Sequence, residues 1–66
     1  MDRGLKAFLA VAQEGSITAA ASKINLTQSS VTKRIATLES EIGVSLFYRD
    51  RRGMSLTEAG QLFLLR

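Results

Sequence analysis

Residues 16–43 read SITAAASKINLTQSSVTKRIATLESEIG, and this stretch decides the fold. Val31, Ile35, Leu38 and Ile42 recur at steps of four, three and four, which makes one narrow apolar stripe on a helix. Thr27 precedes that helix as an N-cap candidate, its hydroxyl able to accept from an orphan N–H, and Gly43 closes it. Upstream, Thr18 is the cap expected for a shorter helix running from about Ala19 to Ile24. Its three consecutive alanines, Ala19 to Ala21, allow close approach of another helix. Asn25 tolerates the left-handed conformation that ends a helix, and Leu26 follows as an apolar plug. Two helices joined by a turn of about three residues, centred on Asn25 and Leu26, have the spacing of a helix-turn-helix.

The flanks extend this unit. Between Gly4 and Gly15 lies LKAFLAVAQE, in which Leu5, Phe8, Leu9 and Ala12 share helical spacing with Val11 beside them. This predicts a first helix with that stripe inward. After Gly43 the period changes. Val44, Leu46 and Tyr48 alternate with Ser45, Phe47 and Arg49, which predicts a short strand. Asp50-Arg51-Arg52-Gly53 is a turn sequence, and Met54 to Leu56 form the return strand. A hairpin with arginines at its tip is a wing. Thr57 then caps a fourth helix, TEAGQLFLLR, with Leu62 and Phe63 expected to anchor it and Leu65 left for a partner. Phe8, Leu9, Phe47 and Phe63 are read as core packing. The expected fold is mainly α: three helices in a winged helix-turn-helix, a two-stranded β-hairpin wing, and the start of a further helix.

Composition narrows the chemistry. The 66 residues suffice for one domain, with no Cys, no His and no Pro. That removes disulfides, zinc-finger spacings and the usual thiol or imidazole catalysts. Asp2, Glu14, Glu39, Glu41, Asp50 and Glu58 are scattered and form no ligand loop, so no metal or cofactor is expected. Without a general base the chain is not expected to be an enzyme. No apolar run approaches the ~20 residues of a membrane span, so no membrane partner is expected. The formal net charge is +3, and Lys33, Arg34, Arg49, Arg51 and Arg52 fall in one stretch.

On a wheel of the third helix, Ile35, Leu38 and Ile42 lie within about 40° of Val31. Ser29, Lys33, Ala36 and Ser40 point the opposite way, with Ser30, Thr32 and Thr37 flanking them. Arg34 sits beside the apolar stripe. The first two turns thus carry Gln28, Ser29, Ser30, Thr32, Lys33 and Arg34, with no acid among them. Small polar side chains let a helix enter the ~12 Å major groove of DNA. Gln hydrogen-bonds adenine, Lys donates to guanine acceptors, and Ser or Thr bonds several edges. The alternatives are a solvated polar face and a winged-helix module for protein–protein contact. For Ser16 and Thr18 capping is the main role, with phosphate contact second.

The order Gly15-Ser16-Ile17-Thr18-Ala19-Ala20-Ala21, Leu26-Thr27-Gln28-Ser29-Ser30-Val31-Thr32-Lys33-Arg34-Ile35, Leu38-Glu39, Ile42-Gly43-Val44-Ser45-Leu46-Phe47-Tyr48-Arg49 and Leu56-Thr57-Glu58-Ala59-Gly60 resembles the DNA-binding domain of LysR-type transcriptional regulators. The resemblance covers essentially the whole chain. It implies a cytoplasmic bacterial protein that binds double-stranded DNA in transcription regulation, with a recognition helix over 28–41 in the major groove. Base readout then falls to Gln28, Ser29, Thr32 and Lys33. Contacts to the backbone, or to the minor groove from the wing, fall to Ser16, Thr18, Thr27, Ser30, Arg34, Arg49, Arg51 and Arg52. It further implies a DNA-binding domain over 1–57. Residues 58–66 would begin a linker helix through which subunits pair as dimers or tetramers, and an effector-binding domain would follow. Two positions depart from the family pattern. Ser29 stands where Pro is frequent, leaving an additional N–H and a hydroxyl at the helix start. Ala19 stands where Arg is common, so the resemblance supplies no backbone contact there.

Overall fold

The computed structural model describes residues 2–65. Helices α1 (Asp2–Glu14), α2 (Ile17–Lys23) and α3 (Gln28–Ile42) are followed by strands β1 (Phe47–Asp50) and β2 (Gly53–Leu56) and helix α4 (Glu58–Leu65). Met1 and Arg66, the outer ends of the two expected segments, lie outside the described residues. The architecture is the winged helix-turn-helix expected.

The turn between α2 and α3 forms for local reasons. Asn25 takes φ 58°, and the Leu26 N–H reaches back to the Ala21 carbonyl at 2.9 Å. That six-to-one bond satisfies a carbonyl the helix end would otherwise leave unpaired. Thr27 is extended and its Oγ1 accepts from the Ser30 N–H at 3.1 Å, so it caps α3 as expected. The cap of α2 is Ser16, not Thr18. Ser16 is extended at φ −157°, and its Oγ accepts from the Ala19 N–H at 3.1 Å. The helix therefore starts at Ile17, which packs against the core, and Thr18 lies exposed in its first turn.

The core is built from Phe8, Val11, Val31, Ile35, Leu38, Leu46 and Phe47, with alanines of α1 and α2 between them. Phe8 is its hub. Its ring lies 5.3 Å from that of Phe47 and 5.0 Å, edge to face, from that of Phe63. The inward face of α1 differs from the expected stripe. Ala7, Phe8, Ala10 and Val11 are buried, whereas Leu5 and Leu9 are each 38% exposed. Small residues occupy the face that α2 and α3 approach, and the leucines are left at its rim. Helix α1 also begins earlier than expected, so that Gly4 lies inside it. A Cβ at Gly4 would stand 3.3 Å from the Leu38 Cβ, so the missing side chain lets α1 lie close on α3.

The wing is shorter at its start than the alternation predicts. Val44 is exposed, Leu46 and Phe47 are buried in succession, and Tyr48 is 63% exposed. Leu46 stands outside the ladder because its backbone is committed elsewhere. Its N–H donates to Glu39 Oε2 at 2.7 Å, and its carbonyl accepts from the Thr57 N–H at 3.0 Å. Pairing then runs Phe47 with Leu56, Tyr48 with Ser55, Arg49 with Met54 and Asp50 with Gly53, antiparallel. Thr57 caps α4 through the Gly60 N–H and donates its hydroxyl to the Ser45 carbonyl at 2.7 Å. Phe63 anchors α4 as expected. Leu62 does not, being 60% exposed, because Gly60 and Ala59 take the inward positions.

Candidate nucleic-acid interface

The outer face of α3 presents Gln28, Ser29, Lys33, Ala36, Thr37 and Ser40 to solvent, with Thr32, Ser30 and Arg34 half-buried along its edges. The N-terminal end is preorganised. Thr27 Oγ1 holds the Ser30 N–H and lies 3.2 Å from the Ser29 hydroxyl. That leaves Gln28 and Ser29 at the tip of the helix, where unpaired N–H groups favour negative charge.

The wing is attached beside α2. The Met54 N–H donates to the Gly15 carbonyl at 3.0 Å. Gly53, at φ 130°, allows this approach, because a Cβ there would run into the Gly15 carbonyl oxygen. The tip is shaped by Asp50, whose Oδ1 accepts from the Arg52 N–H at 2.8 Å. The carboxylate is thereby turned into the turn itself, and Arg49, Arg51 and Arg52 stand exposed around it. Ser16, Thr18, Arg49, Arg51 and Arg52 line one hollow of about 270 Å3 between the start of α2 and the wing tip. A second hollow, of about 290 Å3, separates Thr32 and Ala36 of α3 from Arg49.

The expected residues thus fall into two groups. Gln28, Ser29 and Lys33 share the outer face of α3, with Thr32 at its wing-side edge. Ser16, Thr18 and the three wing arginines form a separate ledge. Thr27 and Ser30 are bonded to each other at the head of α3, and Arg34 joins neither group; it lies on the far flank of α3, beside Lys33 and Thr37. Helix α3 runs through Ile42, one residue past the expected recognition segment. Among the described residues the only ion pair is Lys23 with Glu14 at 3.4 Å, so the basic groups of the candidate interface form none. Two contributors went unread in the sequence. Glu39 is turned away from the outer face to hold Leu46, and Gly15 supplies the carbonyl that positions the wing. Neither has a local signal: the Gly15 bond joins segments distant in sequence, and the Glu39 bond, seven residues long, depends on how the chain turns after α3.

A three-helix core, a tight turn before an acid-free helix start, and a hairpin beside it define a winged helix-turn-helix domain. Its family follows from comparison. The profile described as "Bacterial regulatory helix-turn-helix protein, lysR family" matches residues 3–61. The chain belongs to this family. It is 53% identical over 60 residues to the HTH-type transcriptional regulator YofA of Bacillus subtilis, covering 91% of this chain and 21% of that protein. It is 48% identical over 62 residues to ClcR of Pseudomonas putida, covering 94% and 21%. The chain therefore spans about a fifth of the length of these relatives. Among solved structures it is similar to the CbnR DNA-binding domain in complex with DNA, with a TM-score of 0.95, 42% identity and coverage of 98% of this chain and 75% of that one. The BenM DNA-binding domain complexed with benA site 1 DNA is similar at a TM-score of 0.89 and 36% identity, covering 96% and 73%.

Proposed function

We propose that this chain binds double-stranded DNA at specific sites in bacterial transcription regulation, with α3 in the major groove and the wing against the backbone or minor groove. The observation that carries this reading is the acid-free outer face of the first two turns of α3, set beside an arginine-bearing wing. The similarity to DNA-complexed domains of CbnR and BenM supports it. In this reading Gln28, Ser29, Thr32 and Lys33 contact base edges. Ser16, Thr18, Thr27, Ser30, Arg34, Arg49, Arg51 and Arg52 contact phosphate and sugar, which give affinity without choosing sequence. The capping hydroxyl of Ser16 accepts from the Ala19 N–H and keeps its own hydrogen for donation, while that of Thr27 also meets the Ser29 hydroxyl.

Residues 1–57 form the binding domain, and 58–66 begin a linker helix that joins subunits into a dimer or tetramer. Support for the latter is the exposure of three leucines of α4, Leu62, Leu64 and Leu65, at 60%, 44% and 83%. The working location is the cytoplasm, where bacterial DNA is found, and the chain's role is binding rather than catalysis. No helix among the described residues is long and apolar enough to cross a membrane.

The test is affinity for a duplex selected from a random pool by the wild-type chain, against a scrambled duplex, at several salt concentrations. Affinity is expected to fall steeply with salt. Gln28→Ala and Lys33→Ala should shrink the preference for the selected duplex, each lost base contact being worth about 1–3 kcal/mol. Arg51→Ala and Arg52→Ala should weaken both duplexes alike. Affinity indifferent to salt overturns the reading. Loss of preference in the wing variants alone reverses the two roles.

A further inference from the structure

Helix α3 has two flanks, and only one faces the wing. At 100° per residue, Thr32, Ala36 and Glu39 lie on the wing side, while Arg34, Thr37 and Glu41 lie roughly opposite. The second flank meets the start of α1. Arg3, Lys33, Arg34 and Thr37 line a surface hollow of about 360 Å3 there. Gly4 brings the two helices together, because its backbone lies where a Cβ would touch Leu38 and approach the Arg34 carbonyl at 3.6 Å. Arg3, one residue earlier and exposed, is thereby carried to the rim of α3.

We propose that this hollow is a second phosphate-binding surface, in which Arg3 acts with Arg34 to hold the DNA backbone on the side of the groove away from the wing. The inference rests on the DNA-binding reading and extends it to a helix outside the helix-turn-helix. Three cations from two helices line one concavity, and an anion seated there would be attracted by all three. Glu41 is the single acid among the lining residues. By helical rise it stands about 10 Å beyond Arg34, towards the C-terminal end of α3 and away from the end that enters the groove. A major groove is walled by two phosphate strands. A helix lying in it with basic groups on both flanks would be held from both walls, which fixes its roll and depth.

The experiment compares wild type, Arg3→Gln, Arg3→Lys and Lys23→Gln on the pool-selected duplex between 50 and 200 mM salt, with thermal melts to verify folding. Lys23 carries the same charge in the last turn of α2, outside the lining of this hollow and paired with Glu14. Loss of one phosphate contact reduces the salt-induced drop in affinity over that range by about 3.5-fold. Arg3→Gln should show that reduction and bind more weakly at low salt, with base preference unchanged. Arg3→Lys should recover most of the affinity, and Lys23→Gln should match wild type. If Arg3→Gln keeps the wild-type affinity and salt slope, the second surface is refuted while the DNA-binding reading stands. Equal losses in Arg3→Gln and Lys23→Gln also refute it, since net charge alone would then account for the effect. Wild-type affinity indifferent to salt removes both readings together.

Discussion

The α2–α3 unit and the wing–α4 unit are ordered by different kinds of bond. In the first, helix ends are tied by hydrogen bonds between near neighbours: Ala19 to Ser16, Leu26 to Ala21, Ser30 to Thr27. In the second, the decisive contacts cross the chain. Met54 reaches Gly15, Leu46 reaches Glu39, Thr57 reaches Ser45, and Gly60 lies against the Leu46 carbonyl. Closing short loops takes little chain entropy, so the near-neighbour bonds persist whenever the local backbone is helical. The cross-chain contacts exist only once the core has formed around Phe8. Damage to the α2–α3 unit should therefore be graded, about one cap at a time. Damage to the wing–α4 unit should release a whole element.

Gly60→Ala should produce the largest effect. An alanine in an open helix position stabilises by up to about 1 kcal/mol over glycine. At Gly60 the added Cβ runs into the Leu46 carbonyl oxygen and comes within 2.9 Å of Leu56 Cδ2. The backbone obstacle cannot rotate aside, so α4 must lift. Overpacking of this kind costs about 1–3 kcal/mol, which in so small a domain lowers the melting temperature by several degrees or more. Urea melts give the sign, and hydrogen exchange gives the place. Loss of protection confined to α4 and the hairpin is expected. A raised melting point would break the contrast between the two units.

This contrast also explains which features are legible in the sequence. The turn around Asn25, the Thr27 cap and the outward face of α3 depend on residues close in sequence, and the structure places them as the pattern predicts. Ser16 and Thr18 were ambiguous because both carry a hydroxyl at the head of the same helix; the start of α2 is set by Ile17 entering the core. The two α1 leucines look like core residues, yet close helix contact favours Ala7 and Ala10 on the buried side. The alternation predicts a strand from Val44, because nothing local reveals that Leu46 is claimed by Glu39 and Thr57. For the candidate interface, the polar face of α3 and the arginine turn were legible as a run of residue types. Arg3 was not, since only the packing of α1 on α3 through Gly4 brings it there.

Glu39→Ala should give an intermediate effect and sharpen the comparison within one helix. Its carboxylate accepts from the partly buried Leu46 N–H at 2.7 Å. Hydrogen bonds to charged groups contribute about 1.5–3 kcal/mol, and removing the acceptor leaves that N–H without its partner. A loss of about 2 kcal/mol is expected by denaturant melts, with Glu39→Gln recovering part of it as a neutral acceptor. Glu41→Ala, at an exposed neighbouring site, should stay within about 0.5 kcal/mol. Equal effects at Glu39 and Glu41 would mean that the link between α3 and the wing contributes nothing.

The smallest effect should fall at the start of α2, where Ser16→Ala and Thr18→Ala are expected to differ in sign. Ser16 is extended and its hydroxyl satisfies the Ala19 N–H, a bond whose loss typically costs about 1 kcal/mol. Thr18 is one residue inside the helix and exposed, and there alanine has the higher helix propensity. Thr18→Ala should therefore leave stability unchanged or raise it by a few tenths of a kcal/mol, while Ser16→Ala lowers the melting temperature by about 4–8 °C. In neither case should the hairpin lose protection before global unfolding, because the Met54 bond uses the Gly15 carbonyl rather than either hydroxyl. A larger loss in Thr18→Ala than in Ser16→Ala would move the cap to Thr18 and shorten α2. Early exposure of the wing in Ser16→Ala would show that the two units are coupled through the cap.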